Sequence, residues 1–505
     1  RRELRARDHA RMREHFSDIA LSRLGTWVLL GGAVVLIGSL LSVSALEGQR
    51  FFRPVREGDF ATFSRRQSRV QGAMVALLAV CAAVGGYYAM PAEKPLVAPV
   101  PKFALDSKRF RGNDGSGHVA ATFTLPDSGQ LAPTWSTRLP LPGKGSAVAV
   151  GDRLFVSAAT ASSRKIVCMA ASTGRIYWDI AIPASPEAPD EHPEVLKDDG
   201  EEAGTGYAAA SMAADGERVY ALFANGDLAA VNFDGRVLWS RHLLTPKNQY
   251  GLATSPIVWG DRVVVQFDQT PGEDDEGNEK HQSKLFILDA KTGGNVHVIS
   301  RDVPDSWTTP LVVSAGEREL LVTSALPWVI AYDRDGNEAW RVECMTGDVA
   351  PSPTCVAGRL FVTMEGAGLF AIDPVKGEVL WEHTDGDFPD IVSPLATKEY
   401  VWTLTTSGVL RCFDAASGKE LWKQPLAKRC YASPMLLTGG TTRVLIVSAD
   451  GEMLSFAPGE TFVPLAEANL GETVYATPLV VGDTMLIRGR RKMMRVDSPS
   501  KEGAK

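Results

Sequence analysis

Two kinds of apolar pattern divide this chain. Residues 26–46 and 73–90 are unbroken apolar runs free of charged side chains, each close to the ~20 residues a helix needs to cross a hydrocarbon core. They predict two transmembrane α-helices. From residue 140 onward the apolar runs shorten to strand length, and turn residues separate them. One unit reads Ser352-Pro353, a Gly358-Arg359 turn, Leu360-Phe361-Val362, Gly366-Ala367-Gly368, Leu369-Phe370-Ala371-Ile372-Asp373, a Lys376-Gly377 turn and Val379-Leu380-Trp381. Short apolar runs between glycine turns predict four antiparallel strands per unit.

The unit recurs. Its opening proline falls at Pro256, Pro310, Pro353, Pro394, Pro434 and Pro478, at spacings of 54, 43, 41, 40 and 44 residues. The long first spacing holds a polar insert around residues 272–278, expected on a loop between strands. Two earlier copies open at Ser146 and Ser211, separated by an acidic insert at 185–204, so eight copies are visible. Repeats of about forty residues, each a small antiparallel sheet, predict a closed ring. The expected fold is all-β, an eight-bladed β-propeller of four-stranded blades over residues 131–498, preceded by the two helices. A tryptophan strand ends copies at Trp178, Trp239, Trp340, Trp381 and Trp422, and His297 takes that place in the third copy. The last copy, from Thr477 to Asp497, stops before such a strand, whereas Trp135 lies on an orphan strand ahead of the first copy. Pairing the two closes the ring and leaves no sheet edge unpaired along it.

Over roughly residues 130–498 these units resemble the PQQ-like propeller repeat. That repeat is shared by quinoprotein alcohol dehydrogenases and by the BamB-type scaffold lipoprotein of outer-membrane assembly. The resemblance implies that Trp135, Trp178, Trp239, Trp340, Trp381 and Trp422 are structural, lying between blades near the glycine of the Asp-x-x-x-Gly turn. His297 is expected at a blade junction as well. For the dehydrogenase branch it implies an axial PQQ under a vicinal disulfide, a calcium ion held by Glu, Asn and Asp, and an Asp base. No two cysteines are adjacent in this chain, and most copies lack the long insertions of an active-site funnel. Hydrolase elbow, Walker and zincin motifs are absent too. No catalytic, cofactor-binding or metal-binding residue is therefore assigned, with PQQ and calcium kept as the alternative.

In such a ring the segments leading into the inner strands converge on the axis. They carry Tyr207, Tyr250, Trp307, Asp348, Asp390, Tyr431 and Tyr475. Aromatic residues and carboxylates around a concave mouth suit a protein or peptide partner; equally, they suit a simple cap on the channel. Cys168 and Cys412 stand six residues before a turn glycine, where the clearest copy has Ala371, which predicts a tight buried slot. Cys344 and Cys355 are near enough in sequence to pair in an oxidising compartment. No cysteine–histidine spacing supports a zinc site, and Asp274-Asp275-Glu276 in the insert at 272–278 lacks the alternating ligands of a calcium loop.

Charge separates the chain into the same two parts. Residues 1–111 carry 18 Lys and Arg against 9 Asp and Glu, leaving 35 against 51 for residues 112–505. A propeller of that sign repels a phosphate backbone, so nucleic acid is not an expected partner. A hairpin of two spans over 26–90 places the basic tail, 1–25, and the propeller on one side of the bilayer. Seven arginines in the tail face six in the connecting loop, and the positive-inside rule then sets no orientation. Because the chain opens on Arg1 rather than Met, further residues are expected upstream. Prolines at 91, 95, 99 and 101 mark residues 91–130 as a stiff linker, and 499–505 reads as a short tail. The expected function is a non-catalytic scaffold of the bacterial inner membrane, its propeller extracytoplasmic like the proteins it resembles, contacting lipid and other envelope proteins. A membrane-bound PQQ-dependent oxidoreductase and a sensor module of a larger membrane protein are the alternatives.

Overall fold

Successive side chains of a strand point to opposite faces, and the strands at Arg359–Met364 and Gly368–Ile372 show what this repeat does with both. Leu360, Val362, Phe370 and Ile372 enter one buried cluster, while Phe361, Leu369 and Ala371 enter another. Each sheet is covered on its two sides, which is why its inner strands read as continuous apolar runs. The computed structural model describes residues 105–126, 129–183, 205–248, 250–273 and 276–499. Both apolar segments, the basic tail and the acidic insert at 185–204 lie outside the described residues.

Eight antiparallel sheets follow one another as blades 1–8, over residues 148–181, 213–242, 257–300, 311–343, 354–383, 395–425, 435–469 and 479–497. One buried apolar cluster fills each junction, including that between blades 8 and 1. The polar insert of blade 3 forms a small hairpin, Gly272–Glu273 against Glu279–Lys280, between its two middle strands.

Three strands precede blade 1: β1 (Leu105–Ser107), β2 (His118–Val119) and β3 (Trp135–Arg138). β3 is the outer strand of blade 8, with Trp135 opposite Arg495 and Arg138 opposite Lys492. The ring is closed by the strand that the repeat pattern leaves orphaned. β1 and β2 correct the linker expected over 91–130. β1 pairs antiparallel with the inner strand of blade 1, β2 pairs parallel with that of blade 7, and these two blades have five strands rather than four. The physical reason is that inner strands expose unpaired N–H and C=O groups to the channel, which an extended segment can satisfy. After β2 the chain buries Ala121, Phe123 and Leu125 between blades 7 and 8. Residues 105–125 are thus a plug built into the ring.

All five described cysteines are free. Cys168 and Cys412 lie fully buried directly across from Trp178 and Trp422, at the register position that holds Ala371 beneath Trp381. A small side chain there makes room for the indole. Cys344 and Cys355 pack half-buried as separate thiols between blades 4 and 5. Burial pushes the Cys168 thiol up to about 12 and raises Cys412 as well. Since the thiolate is the reactive form, iodoacetamide at pH 8 is expected to leave both cysteines unmodified in the native protein and to alkylate both in guanidinium. Peptide mass mapping reads the difference.

Candidate functional site

The serine or threonine that opens each copy ends on the propeller axis. The backbone N–H of Ser146 donates to Oγ of Ser211 at 2.9 Å, and that of Ser211 to Oγ of Ser255 at 3.0 Å. The same bond links Ser255 to Thr309, Thr309 to Ser352, Ser352 to Ser393, Ser393 to Ser433 and Ser433 to Thr477. All eight residues are buried. A short hydroxyl can accept this bond from the neighbouring blade, and in the six copies where a proline follows it, that proline sits at a strand start, where no ladder donor is lost. In the sequence the motif marks a repeat; in the structure it ties adjacent blades at the channel.

Two residues before each ring hydroxyl stands one side chain per blade: Lys144, Ala209, Ala253, Trp307, Ala350, Ile391, Tyr431 and Tyr475. All eight line a cavity of about 980 Å³, joined by Tyr250, Asp348, Glu365, Asp390 and Arg429. Six of the seven residues expected at the mouth meet here. Tyr207 does not; it packs into the cluster between blades 1 and 2, and Ala209 takes the lining position of that blade. Lys144, Glu365, Ile391 and Arg429 escape a reading by residue type. For Lys144 and Ile391 the signal is the fixed offset from the ring hydroxyl.

The cavity wall is chemically uneven. Blades 7, 8 and 1 supply a cationic aromatic arc, in which the Tyr431 and Tyr475 rings lie 5.3 Å apart and Lys144 Nζ sits 4.6 Å over Tyr475. Burial, then the neighbouring Tyr431, raises the Tyr475 hydroxyl above its ordinary pKa. Asp348, Glu365 and Asp390 form an acidic arc from blades 5 and 6, where Asp390 accepts from the Thr406 hydroxyl at 2.6 Å. Between them stands Trp307, 5.1 Å from Tyr250 and held by Nε1 donating to Gly251 O at 2.9 Å. These residues precede the hydroxyl ring, whereas the plug binds carbonyls just beyond it. Arg109 donates to Pro310 O at 2.9 Å, Arg111 donates to Pro394 O, and His118 Nε2 lies 2.6 Å from Ala396 O. The cavity opens on one face of the ring, and the plug occupies the channel on the other.

The outer tryptophans serve a different purpose. Nε1 of Trp135, Trp178, Trp239, Trp340, Trp381 and Trp422 donates to a carbonyl of the next blade, on Ala171, Phe233, Ala290, Pro374, Ala415 and Gly459 respectively. The first five indoles also cover a positive-φ glycine of that blade: Gly174, Gly235, Gly293, Gly377 and Gly418. His297 lies against Gly336 in the same way, and blade 7 has Ala466 at the corresponding register position. All are remote from the mouth.

Residues 117–298, 281–393 and 388–461 match the family described as outer membrane protein assembly factor BamB. The chain belongs to that family. A solved BamB from Moraxella catarrhalis superimposes with a TM-score of 0.52 at 17% identity, over 73% of this chain and 99% of that one. A europium-containing methanol dehydrogenase gives 0.58 at 11% identity, over 75% and 89%. The quinohemoprotein alcohol dehydrogenase of Comamonas testosteroni gives 0.57 at 12%, over 78% and 81%. Identities this low establish the shared ring of blades and nothing finer. A quinoprotein ethanol dehydrogenase of Pseudomonas aeruginosa is 50% identical over 56 residues, and the quinoprotein alcohol dehydrogenase PedE of Pseudomonas putida 46% over 56. The chain spans only 9% of the length of those curated relatives.

Such relatives raise the question of a PQQ and calcium pair in this BamB-family ring. The cavity lining holds no asparagine, and no three His, Cys, Asp or Glu side chains among the described residues form a metal-binding group. Trp307 is pinned between backbone segments, and Cys430, beside the cavity residues Arg429 and Tyr431, is buried and single. The residues present do not fit the pair.

Proposed function

We propose that the chain is a non-catalytic, membrane-anchored scaffold of the bacterial envelope that binds a partner protein at the axial mouth. The observation carrying this reading is the cavity of about 980 Å³ edged by Tyr250, Trp307, Tyr431 and Tyr475, with a cationic and an acidic arc. Concave sites with aromatic anchors and charged surroundings are where binding energy concentrates in protein interfaces. The apolar runs at 26–46 and 73–90 would anchor the chain in the inner membrane, leaving the propeller outside the cytoplasm.

Pull-down from native membranes in mild detergent tests it. A stoichiometric partner is expected with the wild type, and Tyr250→Ala combined with Tyr431→Ala should lower its recovery by about 30-fold or more without moving the unfolding midpoint. Undiminished recovery by the double variant would remove the mouth from the interface. A second reading, a quinoprotein oxidoreductase, is favoured by the 56-residue likeness to the ethanol dehydrogenase. Stoichiometric uptake of PQQ with calcium, coupled to dye-linked alcohol turnover, would establish that reading and displace the scaffold.

A further inference from the structure

β1 lies on blade 1 and β2 on blade 7, so the inner strand of blade 8 between them, Leu479–Val481, carries no added strand. The gap is a second cavity, of about 480 Å³, on the plug's side of the ring. Its rim residues Asp106, Asn113 and Ala120 are exposed, so it communicates with solvent. Met435, Leu479 and Val481 make an apolar wall, and Arg109 and Arg111 line the same cavity.

Those arginines are 9% and 5% exposed. Each spends part of its guanidinium on backbone carbonyls, Arg109 on Pro310 and Arg111 on Pro394 and Ser116. Arg109 Nε and Arg111 Nε and Nη1 have no hydrogen-bond partner. Neither arginine forms an ion pair among the described residues. Of the two carboxylates that line the cavity, Asp106 is paired with Lys108 at 2.9 Å, and Asp114 accepts from the N–H and hydroxyl of Ser116 at 2.9 and 2.7 Å. Burial, opposed by Asp114, pulls Arg109 down to about 10, and Arg111, also beside Arg109, down to about 9. A buried cation without a counter-ion is strongly unfavourable, and planar guanidinium donors suit a carboxylate or phosphate.

We propose that the gap between β1 and β2 binds a small organic anion, its carboxylate or phosphate head on Arg109 and Arg111 and its apolar body along Met435, Leu479 and Val481. The site is separate from the axial mouth and does not depend on what binds there. A ligand that binds only the folded chain raises its unfolding midpoint.

The test is thermal unfolding of the full chain in mild detergent, at fixed ionic strength, with hexanoate, inorganic phosphate or neutral hexanol. Hexanoate is expected to raise the midpoint saturably and more than phosphate does, while hexanol leaves it unchanged. In Arg111→Gln the apparent affinity for hexanoate should fall by roughly tenfold to a hundredfold, as losing a charge-assisted hydrogen bond implies. Ser107→Phe, which fills the gap and keeps both arginines, should abolish the shift, and it serves if Arg111→Gln fails to fold. Arg429→Ala, at the mouth, should retain it. No shift with either anion, an equal shift with hexanol, or a shift lost in Arg429→Ala and kept in Ser107→Phe would overturn the proposal.

Discussion

Asp268→Ala is expected to destabilise the propeller by about 3–5 kcal/mol, the cost of stranding a buried charge. Asp268 follows the second strand of blade 3 and accepts from Arg301 Nε at 2.7 Å and Nη2 at 3.2 Å, with both side chains wholly buried. Ser306 and Gln266 donate to the same carboxylate at 2.7 Å each, and Arg301 reaches across to Thr323 and Tyr332 of blade 4. Removing the carboxylate leaves a guanidinium with no counter-charge between two blades. The double variant Asp268→Ala, Arg301→Met should recover most of the loss, because an apolar pair of similar volume carries no desolvation penalty. Denaturant midpoints of the two variants and the wild type decide this. Equal losses in the single and double variants would mean that packing, not the ion pair, sets the stability of that junction.

At the next junction but one, Trp381→Ala is expected to lower stability by about 2–4 kcal/mol, below the full range for a buried tryptophan because its ring is partly exposed. The indole lies 6.0 Å from the Phe361 ring, donates to Ala415 O at 3.1 Å and covers Gly418. Gly418 has φ +72°, and a Cβ there would fall 2.4 Å from Trp381 Cε3. Gly418→Ala is therefore disfavoured twice, by backbone conformation and by collision. With Trp381→Ala already present the collision disappears while the positive φ remains. The double variant should accordingly lose less than the summed single losses by at least about 0.5 kcal/mol. Strict additivity in chemical unfolding would show that indole and glycine act independently.

What could be read from the sequence was whatever every blade must repeat. Strand-length apolar runs recur because each sheet packs on two neighbours, and turn glycines recur because positive φ and the indole leave room for nothing else. The closing strand was legible from a mismatch in the count, a tryptophan strand too many at Trp135 and one too few after Asp497. The plug was not. Its strands are three and two residues long, too short for any periodicity. Arg109 and Arg111 look like linker charge until carbonyls 201 and 283 residues away in sequence come to meet them. The mouth was legible in part, since aromatic residues stand out by type. Ile391 and Lys144 are ordinary residues placed there by their distance from the ring hydroxyl. The two apolar segments, on which the membrane expectation rests, lie outside the described residues.

Closure by β3 also bears on the order in which the protein can be completed. Thr134 donates to Asp497 across 363 residues. At bacterial synthesis rates roughly 20–70 s separate the emergence of these partners. Through that interval the nascent ring has an open edge at blade 1, the site at which Trp135 must dock. Blades can condense one after another as they emerge, but the last junction waits for the final strand. The plug leads directly into β3, so the segment held waiting is also the one that must end up inside the channel. The last junction of a ring of this design closes only once both Trp135–Arg138 and Lys492–Asp497 have been made.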